Sequence, residues 1–473
     1  MYVNQCIKNC LVYFFKPYGR TSDKLSKITI FERGIMINKP SRMEKVIQSY
    51  VKNKQFMGVI LVAQQGKIIL EKGYGYANLE WKIPNTPSTK FRIASLTKQF
   101  TAAAILLLEE QGELKITDSI NKYMLDAPST WDKVTLFHLL NHTSGILNYT
   151  SFPDFAAFTT STKTPEQQID FFRNKPLNFQ PGSNFEYNNS GYVLLGYLIE
   201  KISGQSYQDF VVNNIFNPLK MNDSGYDSHS EIILQRASGY MVSSDGIRNA
   251  DFLDMSIPYS AGSLYSTTQD LLRWEQSLFE GKILSAESLK KMIEPFKNDY
   301  GFGVRIHSLN GHKAISHAGG TSGFNTKLIY LPDDKLTVIV LANLNALGYV
   351  AQDLALKLVS LAHGKTVTLP SERKEISLSS ESLAQCVGTY NIEPYVGAYG
   401  LTYMRQLIIF LENGYLMLQE TNQPNIKLRP ESESKFFGEI PDIQIDFFKN
   451  EQGKISHLVL NQDGESSIGL KVC

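Results

Sequence analysis

Seven consecutive apolar residues, Ala102 to Leu108, constrain this chain more than any other feature. Alanine and leucine are strong helix formers, so the run is read as the middle of a helix that extends from Phe91 to Leu114. A helix that is apolar on every face has to be enclosed by other elements. Gly112 terminates it. A core helix of this kind needs a large surrounding domain, and at 473 residues the chain is long enough for two or three.

The flanking patterns show what surrounds that helix. Ser41 and Glu44 have capping-box spacing, and Met43, Val46, Ile47 and Tyr50 follow at helical intervals. Met57 to Ala63 and Lys67 to Glu71 read as a hairpin around Gln64-Gln65-Gly66. A short helix is expected over 134–142. Another is expected from Ser190 to Lys201, with Ser190 as N-cap and Gly204 as terminator, and another from Ser206 to Phe216 before Pro218. Lys327 to Leu331 and Leu336 to Ala342 form a second hairpin around Pro332-Asp333-Asp334, with Val338 to Leu341 central in a sheet. A helix over 348–363 follows. Both ends of this region therefore contribute to one antiparallel sheet with helices packed on it and a helical subdomain inserted, an α+β class.

Gly364 to Ser380 is polar and reads as a linker. Beyond it, short β-rich runs alternate with turns at Asn413-Gly414, Glu451-Gln452-Gly453 and Asp463-Gly464, with no evident helix, so a small all-β barrel or sandwich is expected. The expected division is 1–38 as an extension, 39–365 as the main domain, 366–380 as linker and 381–473 as the β domain.

Composition excludes some functions. There are 47 basic and 46 acidic residues, and no basic stretch suggests a nucleic-acid partner. No apolar run reaches the ~20 residues of a transmembrane helix. Leu11 to Phe15, after Lys8, is too short for a signal-peptide core and lacks a clear cleavage site, so the expectation is a cytoplasmic or atypically exported protein. Cys6, Cys10, Cys386 and Cys473 form no Cys-x-x-Cys pair and read as free thiols. His138 and His142 are four apart on a helix, but Leu139 stands where a zinc protease would carry glutamate; they read as packed or capping histidines. No metal and no cofactor is expected.

The chemistry centres on Ser95-Leu96-Thr97-Lys98, where the long helix begins. Residues three apart share a helix face. A partly desolvated lysine there has a lowered pKa and can take the serine proton. Alone, this tetrapeptide is better explained by a helix cap and a solvent-facing lysine. Tyr187-Asn188-Asn189 adds a proton-shuttling phenol and an amide that orients substrate. His317-Ala318-Gly319-Gly320, before a strand, adds a bare strand edge and a Gly320 N–H that with that of Ser95 would form an oxyanion hole.

The three elements stand in this order, separated by about 90 and 130 residues. They resemble the class C β-lactamase-like serine hydrolases, which include penicillin-binding carboxypeptidases, D-amino-acid peptidases and esterases. Ser95-x-x-Lys98 is similar to their first motif and Tyr187-x-Asn189 to their second. His317-Ala318-Gly319 stands for the Lys-Thr-Gly of true β-lactamases. Phe91 to Ser95, Leu139 to Gly145 and Tyr300 to Gly303 also match, and the resemblance covers roughly 40–365. Gly388-Thr389-Tyr390 and Asp446-Phe447-Phe448 give the tail a resemblance to lipocalin-like domains fused behind such hydrolases.

The resemblance implies an acyl-enzyme formed on Ser95, with Lys98 and Tyr187 handling protons and Asn189, His317, Gly319 and Gly320 binding a small-molecule or peptide substrate. Peptides, esters and β-lactam-like carbonyls all fit. A histidine at 317 is only partly charged at neutral pH, so capture of a substrate carboxylate should be weaker than with lysine. The alternative is a non-hydrolytic penicillin-binding sensor or a scaffold. The sequence leaves the oligomeric state open.

Overall fold

The computed structural model describes residues 40–473 apart from 244, 347–348, 397–401, 421–424, 463–464 and 473. The extension 1–38, with Leu11 to Phe15, Cys6 and Cys10, lies outside the described residues, as do Cys473 and the Asp463-Gly464 turn.

The main sheet draws strands from the two ends of the first 365 residues. Strands β1 (Gly58–Gln64) and β2 (Lys67–Tyr74) form the first hairpin. Strands β3 (Arg305–Leu309), β4 (His312–Thr321), β5 (Phe324–Leu331) and β6 (Leu336–Ala342) come from the far end. Their order is β3-β4-β5-β6-β1-β2, and every pairing is antiparallel. β6 runs against β1 with Ile60 opposite Val340 and Leu61 opposite Ile339.

All of β5 and β6 is buried because both faces of the sheet are covered. Side chains alternate between faces along a strand. Val59, Leu61, Ile339 and Leu341 face the larger core, with the helices α2 (Thr97–Glu110) and α5 (Thr268–Phe279). Ile60, Val62, Val338 and Val340 face a smaller core with α1 (40–52) and α6 (Val350–Ala362). The long apolar helix is thus the inner layer of the helical side, as its sequence demanded. Beyond it lie α3 (Leu136–Leu140) and α4 (Asn189–Ser203).

Several local expectations need correction. Helix α1 already includes residue 40, so Ser41 lies inside it. Glu44 turns away to accept from Lys72 Nζ and Tyr74 Oη, both at 2.8 Å. Phe91–Arg92 is a short strand paired with Leu264–Ser266, and α2 begins only at Thr97. The N-cap of α4 is Asn188, whose Oδ1 accepts from Gly191 N–H. Ser190 instead donates to the Leu147 carbonyl and accepts from Tyr149 N–H.

After residue 365 the chain stays packed on the sheet. Val367 and Leu369 join the smaller core, and Glu372 pairs with Arg42 and Lys45. A helix, Ser380–Cys386, precedes the β region, where none was expected. Eight strands, β7 (Gly388–Val396), β8 (Thr402–Glu412), β9 (Tyr415–Glu420), β10 (Ile426–Pro430), β11 (Lys435–Gly438), β12 (Ile443–Lys449), β13 (Ile455–Gln462) and β14 (Glu465–Lys471), then close a barrel in sequence order. Closure leaves no free sheet edge. Its interior is filled by side chains such as Tyr390, Leu407, Leu428, Phe436 and Phe447. Cys386 is buried against this core, and burial raises its thiol pKa to about 11.

Candidate active site

Ser95 stands in a tight turn, Ala94–Leu96, that leads directly into α2. Ala94 holds φ at +47°, an unusual conformation for a residue with a side chain. The turn is pinned by Ile93 N–H donating to the Leu264 carbonyl at 3.0 Å. It presents Ser95 at the end of α2 where backbone N–H groups point outward.

One helical turn on, Lys98 is fully buried. Its Nζ lies 3.0 Å from Ser95 Oγ, 2.9 Å from Asn189 Oδ1 and 2.9 Å from the Ala261 carbonyl. Three neutral groups surround the amine, with no carboxylate among these contacts. Burial alone therefore pushes the lysine well below its ordinary range. The rings of Tyr187 and Tyr192 lie 4.9 and 5.4 Å from Nζ, beyond the oxygens that it contacts directly.

Tyr187 is buried, and burial raises its phenol pKa, so the group is neutral. Ser95 lies close enough to its hydroxyl to offset part of that rise, although no hydrogen bond of full geometry closes between them. Asn189 opens α4. Its backbone N–H donates to Asn148 Oδ1 at 3.2 Å, and this fixes the amide that receives Lys98.

Strand β4 forms the opposite wall. A Cβ on Gly319 would lie 2.3 Å from the Ile93 carbonyl and 3.1 Å from Ser95 N. Only glycine lets the strand pack this close to the serine turn. Gly303 does the same for α2: at φ +71° its Cβ would meet the Lys98 carbonyl at 2.6 Å.

His317 is buried on the same strand, and its pKa falls well below normal, chiefly from desolvation and then from Lys98. Its Nδ1 lies 2.6 Å from the Ala318 carbonyl and its Nε2 2.8 Å from Tyr300 Oη. The carbonyl can only accept, so Nδ1 carries the proton and Nε2 accepts from the tyrosine. The expected partial charge at 317 is absent: the ring is neutral and both nitrogens are engaged.

The structure brings Ser95, Lys98, Tyr187, Asn189, His317 and Gly319 together. It adds three residues that the sequence reading did not single out as site residues. Tyr300 orients His317. His142 accepts Asn188 N–H at 3.1 Å, and its ring packs at a tilt against those of Tyr187 and Tyr300, with centroids 4.4 and 4.6 Å away. Arg305 lies over the Tyr300 ring at 5.8 Å, and its charge reaches Tyr187, His142 and His317. Tyr300 and His142 stood in quoted family stretches. Arg305 had no local signal, because a lone arginine on a strand resembles any surface charge. His138 is a helix cap, exchanging hydrogen bonds with Thr135.

Comparison with known proteins decides the family. The Beta-lactamase family pattern matches residues 43–361. The chain belongs to the beta-lactamase family. It is 30% identical over 464 residues to penicillin-binding protein 4* of Bacillus subtilis, covering 90% of this chain and 97% of that protein. It resembles the octameric penicillin-binding protein homologue from Pyrococcus abyssi at 27% identity and a TM-score of 0.64, covering 90% of this chain and 99% of that one. A D-stereospecific amidohydrolase from Streptomyces aligns at 26% identity and a TM-score of 0.53, over 61% of this chain and 89% of that one. These relationships support the serine-hydrolase, acyl-enzyme chemistry of the family in general terms. No described helix is long and apolar enough to cross a membrane.

Proposed function

We propose that this chain hydrolyses the amide or ester carbonyl of a small, peptide-like substrate through an acyl-enzyme on Ser95, within residues 39–365. The observation that carries this reading is a lysine buried without a counter-carboxylate, 3.0 Å from a serine hydroxyl at a helix start. Neutral Lys98 accepts the Ser95 proton as Oγ attacks the carbonyl carbon. Tyr187, a neutral phenol beside Ser95, passes a proton to the leaving group and is re-protonated from Lys98. The N–H groups of Ser95 and Gly320 hold the oxyanion, and Asn189 orients the substrate. Water then cleaves the ester on Ser95.

His317 acts by position in this scheme, holding β4 and Tyr300. Fixed positive charge comes from Arg305, so substrates with a carboxylate near the scissile bond are favoured. Arg305→Ala should raise KM for a carboxylate-terminated peptide about tenfold, with little effect on its amidated counterpart. Equal effects on both would remove Arg305 from substrate recognition.

The D-stereospecific and penicillin-binding relatives make D-amino-acid amides and peptides, then β-lactams, the first substrates to screen. The barrel, residues 381–473 with its lipocalin resemblance, is read as an appended domain joined through 366–380. The deciding experiment is the intact mass of the purified protein after a fluorophosphonate probe, beside Ser95→Ala. One adduct on the wild type and none on the variant is expected. An adduct of equal yield on the variant ends the assignment of Ser95. An acyl adduct that forms from substrate and never turns over would favour the sensor reading.

A further inference from the structure

Away from Ser95, three metal-binding side chains from three separate elements converge. His312 opens β4, Asp334 lies in the turn between β5 and β6, and His363 immediately follows α6. His312 Nδ1 is 2.9 Å and His363 Nε2 3.1 Å from the same oxygen, Asp334 Oδ2. The two rings face each other with centroids 4.6 Å apart and planes inclined by 33°. All three donor atoms lie within 4.8 Å of one another, and the side chains are half-buried. Among the described residues this is the one group of three or more His, Cys, Asp or Glu side chains with such convergence.

We propose that His312, Asp334 and His363 form a binding site for a divalent ion of the zinc class. Two imidazoles and one carboxylate suit a borderline ion, whereas magnesium and calcium call for oxygen ligands. Ligands about 2.0–2.2 Å from a tetrahedral ion stand roughly 3.3 Å apart. The present separations of 2.9 and 3.1 Å need to open by only a few tenths of an ångström. An outer hydrogen-bond partner is within reach. Asn310 Nδ2 lies 3.4 Å from His363 Nδ1. Turning that amide over offers its oxygen to Nδ1–H and leaves the Nε2 lone pair for the ion. Lys365, which donates to Asn310 Oδ1 at 2.8 Å, is exposed and free to swing away.

Three protein ligands leave a coordination position for water. The ion would clamp the start of β4 to the β5–β6 turn and to the end of α6. His312 precedes His317 by five residues on one strand, about 16 Å at the usual strand rise. The ion therefore steadies the strand that carries His317 to Gly320 and takes no part at Ser95. A search for local ligand spacings misses this site because its members are 22 and 29 residues apart.

The test uses the full chain, stripped with a chelator and titrated with zinc chloride alone. One equivalent should bind with a micromolar or tighter Kd and raise Tm. His312→Gln, Asp334→Asn and His363→Gln should each weaken binding at least tenfold, while the same change at His229, an exposed histidine outside the cluster, leaves it unchanged. A second measurement needs no variant: zinc should protect His312 and His363, but not His229, from diethyl pyrocarbonate in the wild type. The absence of saturable binding, wild-type affinity in His363→Gln, or equal modification with and without zinc would each overturn the site.

Discussion

At the residue scale, the behaviour of Lys98 is the most testable feature. Its folded pKa lies well below the unfolded value. As the proposed base it works only when neutral, so kcat/KM should rise with pH through an apparent pKa well below 10.5. Lys98→Met and Lys98→Arg should each lose about 10³-fold or more, the arginine because it never gives up its charge. A rising limb centred near pH 10 in the wild type would show that burial does not set the base. The same burial has a stability cost of definite sign. Between the two pKa values the folded chain binds fewer protons than the unfolded one, so stability falls as pH falls through that window. Lys98→Met should raise Tm, and more so in acid than in alkali. The motifs made this residue legible. Its contact with Ser95 was legible from their spacing; those with Asn189 and Ala261 were not, because these residues reach it only through tertiary packing.

At the scale of elements, the sheet was easy to read and its junctions were not. The unbroken apolar stretch within β6 could only be a strand covered on both faces, and it is. Caps were harder to place, since Asn188 and Ser190 are both good N-caps and only the position of Leu147 decides between them. Phe91–Arg92 was absorbed into a helix because nothing in its own sequence reveals Leu264–Ser266 as a strand partner. The junction of β4 with the Ser95 turn is where element geometry becomes chemistry. Gly319→Ala puts a methyl 2.3 Å from the Ile93 carbonyl, and one of the two segments must retreat. On the proposed mechanism, retreat of β4 would carry Gly320 N–H away from the oxyanion. Losing one such donor costs about 2.7–4 kcal/mol, or 10²–10³ in kcat. Circular dichroism should show an intact fold beside that loss. Unchanged kcat in a folded Gly319→Ala would show that β4 does not supply the donor.

At the scale of the molecule, the barrel is tied to the sheet domain by a buried charge cluster. Lys357 on α6 donates to Asp353 at 2.7 Å and to Asp442 at 2.7 Å, the latter just before β12. Tyr50 on α1 adds a short hydrogen bond to Asp353. Burial alone would depress Lys357, but Asp353 and Asp442 outweigh it and hold the amine above its ordinary range. One lysine thus compensates two carboxylates that are 14% and 7% exposed. Asp353 and Lys357 are four apart on one helix, a spacing the sequence shows; nothing in the sequence joined them to Tyr50 or to Asp442, and the Asp442 contact exists only once the barrel has docked. Removing the cation leaves both carboxylates uncompensated, a loss of about 3–5 kcal/mol for a buried pair. Lys357→Met should therefore separate the two units, splitting one calorimetric transition into two, with the barrel melting first. Lys357→Met with Asp353→Asn and Asp442→Asn removes all three charges and should recover most of the lost stability. A single unshifted transition in Lys357→Met would mean that this cluster does not hold the barrel to the sheet domain.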